Sequence, residues 1–539
     1  MKFTAALTSF MLAAGASASA WQRSHQLVPP IIEGTVIDLN SLERRAEGNP
    51  TTGAGIFQQL TDHNDTSLGT FGMRFWWNAT FYAGPGSPII FFTPGEIAAD
   101  NYGHYLTTNT IPGRLAQAVG GAVVMMEHRY WGKSSPVTEL TTKNMQWLTL
   151  ENSIKDTTYF ARNVKLPFDP TGSSSADKAP WVFSGGSYSG ALSGWVESVD
   201  PGTFWAYHAS SAVVEAVGDF WQYFDPVRQG MPKNCSVDVN KVIEHVDKIL
   251  KSGDETAIHA IKKKFGLEAI VHNDDFAGVL ENGPWNWQSH DFSSGGVPAF
   301  FQFCNYVENT GPAFNSTSIP GPEGVGLCKA LNGYAKWIKE KYLPGACAAY
   351  GYWDDRNSLA CFDTYNASSP LFTDLSLGNT INRQWNWMLC NEPFKFWQNG
   401  APEGYPTLVS RLINNAYWER QCALFFPEQD GFTYGIGRGL DVGDVNRYTG
   451  GWFKTDTKRL IWVNGEWDPW KDATVSSDFR PGGPFEGTPE APVLMIPGGI
   501  HCSDLRWPNG EVNAGVRKVQ NEVIRQVQTW VEEYYHKKE

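Results

Sequence analysis

The sequence lacks the features that would place it in several common functional classes. After residue 20, no stretch reaches the roughly 18 consecutive apolar residues that a membrane-spanning helix needs, and repeats and low-complexity segments do not occur. Positive charge is in deficit, with 43 Lys and Arg residues against 56 Asp and Glu residues. The formal net charge of −13 argues against nucleic acid and against an anionic membrane as partners.

Metal-binding motifs are also missing. The eight cysteines include no paired CxxC arrangement of the kind that binds zinc, and we expect neither a metal nor a cofactor. Seven of the cysteines lie between Cys235 and Cys422, so most disulfides are expected in the middle of the chain. Cys502 stands alone near the C-terminus, which is consistent with a free, buried thiol.

The N-terminus has the pattern of a secretory signal peptide. Residues 1–20 combine Lys2, an apolar stretch and the small-residue cleavage site Ala18-Ser19-Ala20. Residues 21–45 end in Arg44-Arg45, which indicates either the processing site of a propeptide or an exposed basic pair in a flexible tail. Secretion, or storage in an acidic vacuole-like compartment, agrees with the presence of N-glycosylation sequons, which start at Asn64, Asn78, Asn234, Asn315 and Asn366.

Continuous apolar runs predict a parallel sheet covered on both faces. Strands are expected at 86–93, 122–127, 181–184, within 204–214, at 459–464 and at 491–497. The segment 218–440 is instead rich in Trp, Gly, Pro and Cys, and one clear helix falls near 239–250. Apolar residues at helical spacing between Val516 and Tyr534 predict a long final helix. We therefore predict an α/β fold of two parts, 46–217 and 441–539, interrupted by a mostly helical inserted cap at 218–440.

A serine lies on a glycine-rich bend at the end of the third predicted strand. The bend reads Gly185-Gly186-Ser187-Tyr188-Ser189-Gly190, and small residues that can start a helix follow it. This is the pattern of a nucleophile elbow, in which side chains larger than glycine would clash around the serine. Ser189 stands where the second glycine of the usual pattern would be, and a plain turn is the alternative interpretation. We predict Ser187, rather than Ser184 or Ser189, as the nucleophile.

A serine nucleophile needs a histidine base and an acid that orients the base. In hydrolases with such an elbow the acid and then the histidine follow the serine, each on a loop after a strand. Asp468 follows the strand at 459–464, with Glu466 as the local competitor, and His501 follows the strand at 491–497. The other histidine after Asp468, His536, belongs to the charged C-terminal tail. The order predicts a Ser187–Asp468–His501 triad.

Longer motifs resemble a known family. These are Gly-Gly-Ser-Tyr-x-Gly at 185–190, Glu-His-Arg-Tyr-Trp-Gly at 127–132, Phe-Trp-Ala-Tyr-His at 204–208, Asn-Gly-x-x-Asp-Pro-Trp at 464–470, and His501 with Ser503-Asp504-Leu505. From about Phe57 to Tyr535 the chain resembles the Pro-Xaa carboxypeptidase and dipeptidyl-peptidase II family of serine peptidases, and most nearly the secreted fungal acid prolyl endoproteases. Cys328 is an extra cysteine relative to the fungal pattern.

The resemblance implies an α/β-hydrolase fold with a helical cap and cleavage of peptides after proline. Trp470 matches an aromatic residue of the proline pocket, and Trp385 to Met388 of the cap are either further walls or plain packing. For the oxyanion, the elbow geometry predicts the N–H of Tyr188 as one donor. The second donor is expected from the loop after the strand at 86–93, at Gly95 or Glu96.

The mode of cleavage remains open at this stage. An exopeptidase must bind a terminal charge, for which Glu96, Glu127 and Arg129 are candidates, although Glu127 and Arg129 can instead form a buried pair with each other. The resemblance favours an endopeptidase over a Pro-Xaa carboxypeptidase or a dipeptidyl peptidase, and an esterase or lipase would share the triad. The acid activity that the resemblance implies would need a His501 pKa well below its usual ~6.5.

Overall fold

A computed structural model describes residues 29–30, 37–44, 51–293 and 297–537 of the 539-residue chain. The predicted signal peptide and the second residue of the Arg44-Arg45 pair lie outside these ranges. Helix α1, Leu39–Arg44, ends at the first residue of that pair and buries Leu39 and Leu42 against the body of the protein. Glu43 of the same helix pairs with Arg74. This part of the predicted propeptide is therefore packed and not a free tail.

An eight-stranded sheet forms the centre of the protein. Its strands are β1 (Thr52–Leu60), β2 (Thr70–Asn78), β3 (Ile89–Phe92), β4 (Ala122–Met126), β5 (Trp181–Gly186), β6 (Ala206–Ser210), β9 (Leu460–Gly465) and β10 (Val493–Ile496). Their order across the sheet is β1-β2-β4-β3-β5-β6-β9-β10. All pairs from β4 to β10 are parallel, whereas β1–β2 and β2–β4 are antiparallel. This is an α/β-hydrolase sheet, and the predicted fold class is confirmed.

The six predicted strands are all present. Five of them, β3 to β6 and β9, consist of fully buried residues, as expected for strands of a sheet covered on both faces. The antiparallel strands β1 and β2 were not predicted. In β1, Gly53 and Gly55 lie so close to the rings of Trp77 and Phe75 that an added Cβ would approach them to 2.2 and 2.5 Å. Glycines that make room for rings weaken the strand pattern in the sequence.

Helices cover both faces of the sheet. Those of the first and last parts of the chain are α2 (Ile111–Val119), α3 (Leu150–Asn163), α4 (Tyr188–Val199), α15 (Val442–Thr449), α16 (Trp507–Val512) and α17 (Ala514–His536). The last is the predicted amphipathic helix, and it buries one apolar side, namely Val516, Val519, Val523, Val527, Trp530 and Val531. No helix in the described ranges is both long and apolar enough to cross a bilayer.

The segment between β6 and β9 is mostly helical. Its helices are α5 (Phe224–Gly230), α6 (Lys233–Leu250), α7 (Glu255–Phe265), α8 (Asn273–Leu280), α9 (Asn282–Trp285), α10 (Ala299–Val307), α11 (Leu327–Trp337), α12 (Pro370–Thr373), α13 (Arg383–Asn391) and α14 (Asn415–Phe425). Two short strands of this segment, β7 (Val217–Asp219) and β8 (Lys395–Trp397), pair in parallel. The exact limits of the predicted cap, 218–440, remain a prediction.

Three disulfides join residues within this helical segment. They connect Cys235 to Cys304, Cys347 to Cys361 and Cys390 to Cys422. Cys328 is exposed and Cys502 is buried, and both are free thiols. The expectation that the bridges concentrate in the middle of the chain is therefore confirmed.

Candidate active site

The loops after β5, β9 and β10 bring three predicted residues into contact. Nε2 of His501 lies 2.8 Å from Oγ of Ser187. Nδ1 of His501 lies 3.0 and 3.2 Å from the two carboxylate oxygens of Asp468. All three side chains are buried. The arrangement matches the order of groups through which a serine hydroxyl is activated.

The bend around Ser187 explains why glycines flank it. Ser187 has φ 61° and ψ −127°, a strained conformation for a non-glycine residue. Its N–H donates to the carbonyl of Ser210 on β6. An added Cβ would lie 2.1 Å from the Ser189 carbonyl oxygen at Gly185, and 2.6 Å from the Ser210 carbonyl oxygen at Gly190. Backbone closes on both positions, so neither tolerates a side chain.

Ser189 has a defined role in this bend. Its Oγ accepts a hydrogen bond of 3.1 Å from the N–H of Gly186. A glycine at this position could not offer that acceptor, so the serine satisfies a buried backbone donor of the elbow. This contact could not be predicted from the sequence, because it depends on the geometry of the turn.

Asp468 and its competitor Glu466 occupy different places. Asp468 also accepts a 2.9 Å hydrogen bond from the N–H of Trp470, which holds the carboxylate toward His501. Glu466 instead accepts the N–H of Gly498 at 2.7 Å and so supports the loop that precedes His501. His536 is exposed at the end of α17. The geometry favours Asp468 as the acid.

The candidate oxyanion donors lie beside the serine. Tyr188 is the first residue of α4, where a backbone N–H has no acceptor within the helix. Gly95 approaches the elbow closely, because a Cβ added to it would lie 3.2 Å from the Tyr188 ring and 3.6 Å from Ser189. The Gly95 N–H donates a hydrogen bond to Oγ1 of Thr93. This N–H would have to leave Thr93 to serve as an oxyanion donor. Gly95 and Glu96 both stay predictions for the second donor.

Comparisons with known proteins agree with this site. A family profile described as "Serine carboxypeptidase S28" matches residues 58–283. The serine protease vicPa of Bipolaris victoriae is 43% identical over 492 residues, which cover 90% of each chain. The chain belongs to the S28 family of serine peptidases. A "Probable extracellular serine carboxypeptidase" of Arthroderma benhamiae is 29% identical over 86% of this chain and 64% of its own. A thymus-specific serine protease of mouse is 24% identical over 88% of this chain and 87% of its own.

Trp470 of this S28 peptidase belongs to an aromatic cluster next to the histidine. The centre of its indole lies 6.5 Å from that of His501. Gln288, which was not predicted, accepts hydrogen bonds from Nε1 of Trp470 and from the hydroxyl of Tyr223. The rings that surround Trp470 at 5.1–5.6 Å are those of Tyr223, Phe220 and Phe396. These three phenylalanine and tyrosine residues have no distinctive motif in the sequence.

The two tryptophans of the segment 385–388 differ in position. The ring of Trp385 lies 5.3 Å from that of Tyr188, the residue after the nucleophile. Trp387 packs on Phe426 and donates to the carbonyl of Leu148. Trp385 can therefore border the site, whereas Trp387 belongs to the packing of the cap.

Glu127 and Arg129 are buried, but the expected pair between them is wrong. The Glu127 carboxylate accepts a 2.8 Å hydrogen bond from Nε of Arg74. Arg129 donates through Nε and one terminal nitrogen, at 2.6 Å each, to the two oxygens of Asp156. Each residue has a partner from a distant part of the chain, which a local motif cannot reveal.

The surroundings of His501 act on its pKa in opposite directions. Burial lowers the pKa, whereas Cys502 and Asp468 raise it, and the net pKa lies well above its ordinary value. The acid activity that the resemblance implies would need a lowered pKa, which burial alone would give. Cys502 and Asp468, the latter 3.0 Å away, together outweigh that effect of burial.

The predicted glycosylation asparagines differ in exposure. Asn64, Asn315 and Asn366 are exposed, whereas Asn78 and Asn234 are half-buried. The side-chain amide of Asn78 donates to the carbonyl of Leu106 at 2.8 Å. The three exposed sites are therefore the most accessible for a glycan, and all five remain predictions.

Proposed function

We propose that this S28 serine peptidase cleaves peptides on the carboxyl side of internal proline residues through an acyl-enzyme on Ser187. The observation that carries the proposal is the continuous hydrogen-bond path from Ser187 through His501 to Asp468. Peptide substrates follow from the family, whereas proline specificity and internal cleavage are our proposal.

In the first half-reaction, Ser187 Oγ bonds to the carbonyl carbon while its proton moves to Nε2 of His501. Asp468 stabilises the imidazolium that forms, and the N–H group of Tyr188 binds the oxyanion together with that of Gly95 or Glu96. The C–N bond then breaks, and the leaving amine takes the proton from Nε2. Water attacks the ester, gives a proton to Nε2, and Ser187 leaves with that proton.

Proline specificity is supported by the aromatic surroundings of the triad. A proline ring is small, rigid and without an N–H donor, so a close-fitting apolar pocket suits it. Trp470 lies beside His501, and Trp385 lies beside Tyr188. Aromatic side chains thus lie next to the base and next to the residue that follows the nucleophile.

Internal cleavage is supported by the positions of two of the three charged candidates, Glu127 and Arg129. A carboxypeptidase needs a cation for the terminal carboxylate, and a dipeptidyl peptidase needs an acid for the terminal amine. Arg129 is buried and held by Asp156, and Glu127 is buried and held by Arg74. These two residues are therefore poor choices for binding a chain terminus. A Pro-Xaa carboxypeptidase is the alternative, which the family description favours.

A secreted location is part of the proposal. The predicted signal peptide, the three disulfides and the relative whose name calls it extracellular all agree with an oxidising compartment. An acidic vacuole-like compartment is the alternative.

Product mapping by mass spectrometry on a long proline-rich peptide tests the specificity. We expect new C-termini at internal prolines in the earliest time points. Successive loss of single C-terminal residues would show a carboxypeptidase, and release of N-terminal dipeptides would show a dipeptidyl peptidase. Turnover of simple esters with no cleavage of the peptide would contradict the peptidase proposal as a whole.

The pH dependence follows from the raised pKa of His501. Attack needs a neutral imidazole, and a raised pKa keeps the imidazolium populated to higher pH. We expect kcat/KM to rise with pH through this pKa, with the acidic limb above the ordinary ~6.5. The acid activity that the sequence resemblance implies would instead need a lowered His501 pKa. An acidic limb near pH 4 would show that the effect of burial on this pKa exceeds the effects of Asp468 and Cys502.

A further inference from the structure

A second Ser–His–Asp set lies beneath the active site. Oγ of Ser184 is 2.9 Å from Nδ1 of His208, and Nε2 of His208 is 2.9 Å from one carboxylate oxygen of Asp504. The other oxygen of Asp504 accepts the Ser210 hydroxyl at 2.5 Å. The four side chains are at most 1% exposed. No substrate can reach this set, so it is not a second hydrolytic site.

The position of this buried set connects the base to the nucleophile. Ser184 precedes Ser187 by three residues on β5, and Asp504 follows His501 by three residues. Ser210 on β6 binds Asp504 through its hydroxyl and accepts the N–H of Ser187 through its carbonyl, at 2.8 Å. One residue of β6 therefore contacts both the loop of the base and the backbone of the nucleophile.

The loop that carries His501 needs such a support. It begins at Gly498 with φ 65°, and Cys502 has φ 50°, so neither a strand nor a helix fixes its path. The backbone N–H of Cys502 donates to Oγ of Ser211, and Gln520 of α17 donates to the carbonyl of Asp504. Within this loop, Asp504 is the side chain that binds two residues of the sheet at once.

We propose that His208 and Asp504 are positioning residues that hold His501 Nε2 against Ser187. They touch neither substrate nor the reacting atoms. In this network the Ser184 hydroxyl donates to His208, and His208 donates to Asp504. The Ser210 hydroxyl is the second donor to the Asp504 carboxylate. This proposal rests on the proposed role of the Ser187–His501 contact.

Truncation variants of the full-length enzyme test the proposal. We expect Asp504→Ala and His208→Ala to lower kcat about 100-fold with KM within about threefold, because a displacement of ~1 Å at a base costs that much. Each rate is normalised to active sites, counted by the endpoint incorporation of a fluorophosphonate at Ser187. Loss of folded protein lowers that count, whereas loss of positioning lowers the rate per site.

Asp504→Asn is the conservative variant. With the asparagine amide donating to Nε2 of His208, the other tautomer of His208 donates to Ser184, and every contact of the set is kept. We expect kcat per site within about tenfold of the wild type, which separates positioning by hydrogen bonds from a need for the Asp504 charge. A loss as large as that of Asp504→Ala would overturn the positioning role.

Asp247→Ala is the matched control, since Asp247 is also buried and accepts a serine hydroxyl, from Ser410, in the helical segment. We expect a lower Tm and an unchanged rate per site.

If the alanine variants of the buried set do not fold, Ser184→Ala and Ser210→Ala each remove one hydroxyl and should lower kcat about tenfold. Rates per site within twofold of the wild type in all folded variants would overturn the proposal. If the fluorophosphonate does not label Ser187 in the wild-type enzyme, the proposed nucleophile is contradicted instead.

Discussion

Replacement of Ser187 by alanine is expected to lower kcat for a peptide substrate about 10⁶-fold. The hydroxyl oxygen at 2.8 Å from His501 is the group that forms the acyl-enzyme, and without it only binding and oxyanion stabilisation remain. The measurement is hydrolysis of a chromogenic peptide with proline before the scissile bond, with KM determined alongside.

Ser198→Ala is the control for this substitution. Ser198 lies on the same helix, α4, and donates to the carbonyls of Trp195 and Thr449, away from the triad. We expect its kcat within about twofold of the wild type, since surface-side substitutions on a helix have small effects. Retention of more than about 1% activity in Ser187→Ala would assign the reaction to another nucleophile.

Asp468→Asn is expected to lower kcat about 10⁴-fold with little change in KM. In the wild type, one oxygen of Asp468 receives the N–H of Trp470. The same oxygen lies 3.0 Å from Nδ1 of His501, and the other oxygen lies 3.2 Å from it. In the asparagine variant the amide nitrogen takes the second of these places and donates to Nδ1, which then becomes an acceptor, and the negative charge that stabilises the imidazolium is lost. The tautomer that results carries its proton on Nε2 and cannot take one from Ser187.

Glu466→Gln provides the comparison for Asp468→Asn. The glutamine oxygen can still accept the Gly498 N–H, so the loop before His501 keeps its support. We expect a loss of less than about tenfold in kcat. A larger loss at Glu466 than at Asp468 would contradict the assignment of the acid.

The sequence predicted the parallel part of the sheet because buried strands require continuous apolar runs, as in β3 and β4. Strand β1 has a mixed burial pattern, and its glycines obscure the strand signal. The pair β7–β8 has only three residues in each strand, too few for a period to appear. These elements form through contacts that a local pattern does not contain.

The meeting of Ser187, Asp468 and His501 was predictable because each lies on a loop after a strand of the same sheet, and carboxyl ends of parallel strands meet at one edge. Partners from distant elements were not predictable. The pairing of Glu127 with Arg74 and the hydrogen bond from Gly186 to Ser189 depend on how the loops fold. The direction of the His501 pKa shift depends on the balance between burial and two neighbours, which only the coordinates supply.

Covalent labelling tests the central claim most directly. The full-length enzyme is treated with a fluorophosphonate, digested, and mapped by mass spectrometry. We predict one adduct, on Ser187, that forms in proportion to the loss of peptidase activity and forms far more slowly in His501→Gln. An adduct on another serine, or full inhibition with Ser187 unmodified, would contradict the account.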